Sequence, residues 1–307
     1  METMMSSVEL GGFALRWASR TDVGKVRMIN EDSTLAVPGM FVVADGMGGH
    51  AAGDIASSLT IESFRAASES MPMPITQLSI VLSAANESVI TYARDNDRDG
   101  MGTTVVGAAV VDNGGDPAIV VFHVGDSRCY LVGTDRLVRL TKDHSLVQEM
   151  VDHGEITEDE AAYHPHRNVV TRAVGIDAVV TADFLVLPEA GQQRFLLCSD
   201  GVSGELDDVE LHRLLAQNPD PAIAVSAIID AVLSGRARDN ASAIVIDIRM
   251  TSLSPRPDVD VTGPRVPRTE EASMAHEALI AEVPVSSRPS AATRLEAGGS
   301  LIDEVPS

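Results

Sequence analysis

Between Thr103 and Val132, three runs of apolar and mostly β-branched residues follow one another: Thr103–Val111, Ala118–Val124 and Cys129–Val132. The gaps between them are too short to hold a helix, and a parallel connection needs a crossover of about a dozen residues or more. The runs therefore pair as antiparallel strands. Phe13–Ser19, Met40–Ala44, Arg194–Cys198 and Ala241–Arg249 are runs of the same kind, bounded by Gly, Asp or Asn. Alanine-rich helical stretches cover 51–68, 75–94 and 221–234. Strands clustered in this way predict an α+β fold, a mostly antiparallel β-sandwich flanked by helices, rather than a doubly wound sheet. Aromatics make up only 3% of the chain, so Ala, Val, Ile and Leu must fill the core.

The composition breaks near Met250. Residues 251–307 contain Pro255, Pro257, Pro264, Pro267, Pro284, Pro289 and Pro306 but no Phe, Tyr or Trp. Such a segment buries too little apolar surface to offset its ordering entropy, so 1–250 reads as one domain and 251–307 as a disordered tail. Of the net charge of −22, only −4 lies in that tail, so the folded part is strongly acidic. That excludes a nucleic-acid partner and favours a monomer. No window is apolar enough to span a membrane, and Met1–Leu10 lacks the pattern of a signal peptide. The two cysteines make no disulfide framework, so the cytoplasm is the expected compartment. Residues 143–172 form a distinct excursion. Ser145 with Gln148 and Thr157 with Glu160 read as capping boxes, Gly154 as a helix stop, and His164-Pro165 as the end of the second helix.

The polar residues that interrupt these strands share a pattern. Phe41-Val42-Val43-Ala44 runs into Asp45-Gly46, and Phe195–Ser199 runs into Asp200-Gly201. Phe122-His123-Val124-Gly125 leads to Asp126, while Asp239-Asn240 precedes the strand beginning at Ala241. The end of one antiparallel strand lies beside the start of the next, so the four aspartates are expected on one rim of the sheet. Carboxylates gathered there repel unless cations neutralise them, and an all-oxygen ligand set selects Mg²⁺, Mn²⁺ or Ca²⁺. A guanidinium nearby, such as Arg27, suits bidentate contact with a phosphoryl group.

The whole set resembles the metal-dependent protein phosphatases of the protein phosphatase 2C type. The likeness runs in order from Thr21 to about Ile248 and rests on eight segments. They are Gly24 to Asp32 with Arg27 and Asn30-Glu31-Asp32; Ala44 to His50 with Gly53; Gly102-Thr103-Thr104; Gly125 to Arg128; Leu140 to Ser145; Thr171 to Gly175; Ser199 to Val202; and Asp239 to Ser242. The resemblance implies αββα layers, with a β-sandwich between helix pairs. It also implies that Asp45 bridges two Mn²⁺ or Mg²⁺ ions and that the Gly46 carbonyl binds one of them. Asp200 and Asp239 would hold the first ion, Glu31 would reach the second through water, and Asp126 would hold a third, weaker one. Residues 143–172 would be the flap beside the site. The implied reaction is hydrolysis of phosphoserine and phosphothreonine in proteins by a metal-activated hydroxide, with Arg27 binding the phosphate and serine/threonine kinases as natural counterparts. Two positions depart from the pattern. Met47 stands where eukaryotic relatives carry His, leaving His50 or a metal-bound water to protonate the leaving group, and Ser242 replaces Thr.

Other phosphatase chemistries fit less well. Neither Cys129 nor Cys198 has an arginine six residues on, as a cysteine-based phosphatase requires. Asp258-Val259-Asp260-Val261-Thr262 has the letters of a haloacid-dehalogenase motif but lies in the proline-rich tail with no strand before it. Because the tail offers no core residues, a chain ending near Thr251 is expected to keep its melting temperature and its turnover of p-nitrophenyl phosphate. A clear drop in either would show that the tail packs on the domain.

Overall fold

The computed structural model describes residues 5–48, 52–187 and 191–251. Two antiparallel sheets form the centre. The first runs β1 (Ser6–Leu10), β2 (Phe13–Asp22), β13 (Ala241–Met250), β12 (Gln192–Cys198), β9 (Arg128–Val132), β10 (Leu137–Arg139). The second runs β11 (Asp183–Leu187), β8 (Asp116–Val124), β7 (Val105–Asn113), β4 (Met40–Met47), β3 (Asp32–Val37). Two short strands extend it: β5 (Met73–Pro74) lies parallel to β7, and β6 (Gly102–Thr103) pairs with β4.

The period of two along each strand explains the layers. On β4, Phe41 and Val43 join a core with Trp17, Phe195, Ile244 and Ile246 from the other sheet. Met40, Val42 and Ala44 point the opposite way, into a second core with Phe64 and Leu78 of the helices α1 (Gly53–Ser68) and α2 (Ile75–Asp95). On β12, Leu196 and Cys198 turn outward to Leu211 and Leu215 of α6 (Asp208–Gln217) and Ile228 of α7 (Pro221–Ser234). Both faces of the central strands are buried, so they read as unbroken apolar runs instead of an alternation. The expected αββα sandwich is what forms.

Several elements were not legible in the sequence. β3 begins Asp-Ser-Thr, β11 leaves Phe184 and Val186 exposed, and α6 buries only one stripe, so none shows a strong apolar run. The excursion at 143–172 folds as α3 (Leu146–Asp152) and α4 (Glu158–Tyr163). Thr157 and Glu160 make the full capping box. The expected box at Ser145 is half made: Ser145 Oγ accepts from Gln148 N–H, but the Gln148 side chain bonds Asp152 and Arg139 instead. The tail beyond Thr251, its Asp258–Thr262 motif and His50 lie outside the described residues.

One buried ion pair ties the outer helices to the first sheet. Arg194 donates through Nε and Nη2 to Asp247 at 2.6 and 2.8 Å, and through Nη1 to the carbonyls of Leu215 and Asn218 at the end of α6. Arg194→Met would leave Asp247 and those carbonyls without partners. Such a loss costs about 3–5 kcal/mol, read as a lower urea midpoint with an unchanged slope.

Candidate metal centre

Asp45 stands on β4 directly across from Asp32 on β3. Its backbone is held from the other side. Thr104 N–H and the Thr103 hydroxyl both donate to the Asp45 carbonyl at 2.9 Å, and Asp45 N–H donates to Thr104 Oγ1 at 3.3 Å. Gly46 follows, donating its N–H to the Glu31 carbonyl at 3.1 Å. A Cβ at Gly46 would overlap the Gly53 carbonyl, so only glycine allows α1 to start so close to the site.

The first sheet supplies the facing groups. Asp200 opens the short helix α5 (Asp200–Ser203) directly after β12, and Asp239 lies two residues before β13. Those strands are antiparallel neighbours, with Cys198 opposite Ala243, so the exit of one lies at the entry of the other. Asp126 sits in the turn that leaves β8 in the second sheet and enters β9 in the first. The expectation of a rim on a single sheet is therefore corrected: the aspartates come from one end of the sandwich, with both sheets contributing.

These carboxyls are close enough to act on one another's charge. Burial holds the Asp45 carboxyl well above the usual range, and Asp32, Asp200, Asp126 and Asp239 raise it further. Burial pushes Asp32 up to about 7, against hydrogen bonds with Ser242 and Ser199 that favour its anion. Burial likewise takes Asp126 to about 7, helped by Asp200 and Asp143. Asp200 is raised by burial and then by Asp239. Among the described residues, no histidine or cysteine stands with these five carboxyls. Such an all-oxygen set fits hard divalent cations such as Mg²⁺ and Mn²⁺.

Arg27 lies at the edge of this group. Its Nη2 donates to Asp239 Oδ2 at 2.8 Å, its Nη1 is 3.7 Å from Glu31 Oε2, and its side chain is 47% exposed, within reach of a substrate. The loop that carries Arg27 and Glu31 is stapled by Asn240. Asn240 Oδ1 accepts from Glu31 N–H at 2.8 Å, and its Nδ2 donates to the Val23 and Ile29 carbonyls at 3.0 Å.

Asp45, Gly46, Asp126, Asp200 and Asp239, with Arg27 and Glu31 beside them, thus gather at one place. Asp32 and Asn240 were quoted in the motifs above without a role. Asp32 directly adjoins Glu31, and this was the one signal in the sequence that a further carboxylate was present. Asp126 does not take Arg128 as its hydrogen-bonding partner: Arg128 binds Asp143 through Nε and Nη2, at 2.6 Å in the shorter contact. The Ser242 hydroxyl, where Thr is usual, donates to Thr21 Oγ1 at 2.7 Å.

The sequence profile of protein phosphatase 2C matches residues 28–232. The chain belongs to the protein phosphatase 2C family. It is 36% identical over 237 residues to the serine/threonine protein phosphatase PstP of Mycobacterium tuberculosis, covering 76% of this chain and 45% of that protein, so it spans less than half of that relative. It is 33% identical over 248 residues to the serine/threonine phosphatase stp of Listeria monocytogenes, covering 76% of this chain and 95% of the other. The crystal structure of the catalytic domain of a serine/threonine protein phosphatase PstP with two manganese ions superposes with a TM-score of 0.69 at 34% identity, over 77% of this chain and 99% of that one. This phosphatase-family sandwich has, among the described residues, no helix long and apolar enough to cross a membrane.

The raised carboxyls make the cation-free protein sensitive to pH. Asp32 and Asp126 keep protons up to about 7 in the folded state, whereas unfolded aspartates lose them near their ordinary value of 3.8. The folded state therefore binds more protons between those limits, and stability falls as pH rises. In EDTA the melting temperature should drop from pH 5 to pH 7.5. Saturating Mn²⁺ should flatten or reverse the slope, and a slope unaffected by Mn²⁺ would contradict a cation-dependent cluster.

Proposed function

We propose that this chain is a phosphoprotein phosphatase that hydrolyses phosphoserine and phosphothreonine with two Mn²⁺ or Mg²⁺ ions, opposing serine/threonine protein kinases. The observation that carries this reading is the meeting of five carboxyls from both sheets with one half-exposed guanidinium. Asp45, the Gly46 carbonyl, Asp200 and Asp239 would hold the two ions, with Glu31 supporting the second. Asp126 would hold a third, more weakly, because a single protein carboxylate with waters makes a poor cage.

When bound, the cations lower the pKa of water and offset the charge on the phosphoryl oxygens. The chain's own residues do the rest. Arg27, tethered to Asp239, offers its remaining N–H groups to those oxygens. A groove of about 770 Å³ between the flap and the α5–α6 segment is lined by Asp126 and Asp200, which gives a phosphorylated segment a path to the centre. No covalent enzyme intermediate is needed. Both thiols are buried, and burial pushes Cys198 up to about 12, so neither supplies a thiolate. The same reading places the protein in the cytoplasm as a monomer.

Turnover of p-nitrophenyl phosphate and of a phosphothreonine peptide tests the assignment. Asp45→Asn and Asp239→Asn should each lower kcat by orders of magnitude, and EDTA should abolish activity reversibly. Arg27→Ala should raise KM and leave cation affinity near wild type. Asp126→Ala should cost about tenfold in kcat, or ~1.4 kcal/mol of barrier. Activity that survives EDTA, or full activity in both Asn variants, would overturn the reading.

A further inference from the structure

The turn that carries Asp126 is gripped by a histidine that the reaction above does not use. Gly125 N–H donates to His144 Nδ1 at 3.1 Å, and His144 N–H donates to the Gly125 carbonyl at 2.9 Å. Gly125 has φ +103°, and a Cβ there would strike the side chain of Thr104, whose hydroxyl bonds Ser127 at 2.7 Å. Thr104 thus closes on the turn from one side and His144 from the other. Such tethering has a physical reason: a glycine hinge with positive φ yields easily.

The surroundings of His144 hold its ring in place. A backbone N–H can only donate, so Nδ1 is the acceptor towards Gly125. On the other edge of the ring Asp183 Oδ2 lies 3.4 Å from Nε2, and Arg172 Nη1 pairs with Asp183 Oδ1 at 3.2 Å. His123 stacks on the ring at 4.4 Å, and burial lowers its pKa to about 4, so it packs there uncharged. His123, His144 and Asp183 have the composition of a transition-metal site, with candidate ligand atoms within 4.8 Å of one another. However, Arg172 Nη1 lies 3.2 Å from His144 Nε2 as well as from Asp183, so a guanidinium already serves as the cation of this cluster.

We propose that His144, through its Nδ1, is a positioning residue that fixes the Gly125-Asp126 turn and so aims the Asp126 carboxylate into the metal centre. His144 is well placed to do this. Its carbonyl accepts from Thr171 N–H at 2.8 Å, Ser145 pairs with Val170, and Asp143 is anchored by Arg128. Both ends of the flap therefore meet at the residue that braces Asp126. The kinetic part of this proposal rests on the phosphatase reading; the structural part does not.

The test uses the full chain and two substitutions. His144→Phe keeps the ring volume and removes the acceptor, whereas His144→Asn places an amide oxygen near the position of Nδ1. Hydrogen exchange at the Gly125 amide reads the brace without reference to activity. His144→Phe should speed that exchange about tenfold or more with the rest of the sheet unchanged, and His144→Asn should restore most of the protection. In kinetics, His144→Phe should lower kcat about as far as Asp126→Ala, shift the Mn²⁺ titration to higher concentration and leave KM alone. The double variant should be no worse than Asp126→Ala. Undiminished protection in His144→Phe would overturn the brace. So would losses that add fully in the double variant, or a His144→Asn variant as impaired as the phenylalanine one. Should His144→Phe fail to fold, His144→Leu removes the acceptor with a smaller side chain, and faster exchange at Gly125 is expected; wild-type exchange there would overturn the brace. A silent Asp126→Ala combined with the expected exchange pattern would remove the third ion and leave the brace standing.

Discussion

Mutual repulsion among Asp32, Asp45, Asp126, Asp200 and Asp239 is the constraint to which the rest of this structure answers. Two unit charges 4 Å apart interact by about 4 kcal/mol at an effective dielectric of 20, so five carboxyls cannot stay together as anions without cations or protons. Burial first, and the neighbouring carboxylates after it, raise Asp32, Asp45, Asp126 and Asp200. What holds the carboxyls together despite their repulsion is backbone. Thr103 and Thr104 fasten Asp45, and Ser199 donates to Asp32 at 2.8 Å while accepting from Ser242 N–H at 3.0 Å.

The sandwich is suited to this task because its two sheets are rigid for independent reasons. Each has an apolar face in the shared core and another under helices, so neither can tilt without opening a packed layer. Placing Asp45 and Asp32 on one sheet, Asp200 and Asp239 on the other, and Asp126 on the connecting turn fixes their separation through core packing. Flexible surface loops could not resist the repulsion in this way. Where a loop is unavoidable, as with the segment bearing Arg27 and Glu31, Asn240 ties it down at three points.

The same arrangement accounts for a phosphatase centre without a protein nucleophile. Both cysteines are core residues, with Cys129 between the sheets and Cys198 under α6 and α7. The groups that reach the rim are carboxyls and one guanidinium. Binding and charge compensation are what such a set can supply, and they are what phosphoryl transfer chiefly demands.

The sequence by itself determined the sandwich, most of its central strands and the identity of the rim aspartates. Strands buried on both faces leave unbroken apolar runs, and an Asp-Gly at the end of such a run stands out against them. It also determined α7, whose proline at the first position and apolar stripe mark both its start and its packed face. β3, β11 and α6 stayed hidden because their burial is one-sided or polar. Only the tertiary structure decided that the rim belongs to two sheets, since strand order across a sandwich depends on which faces pack, and local pattern does not record it. Arg128 turns to Asp143, Asp32 joins the carboxyl cluster, and His144 grips Gly125 for the same reason: each partner lies far along the chain or across the core, and no spacing in the sequence measures that distance.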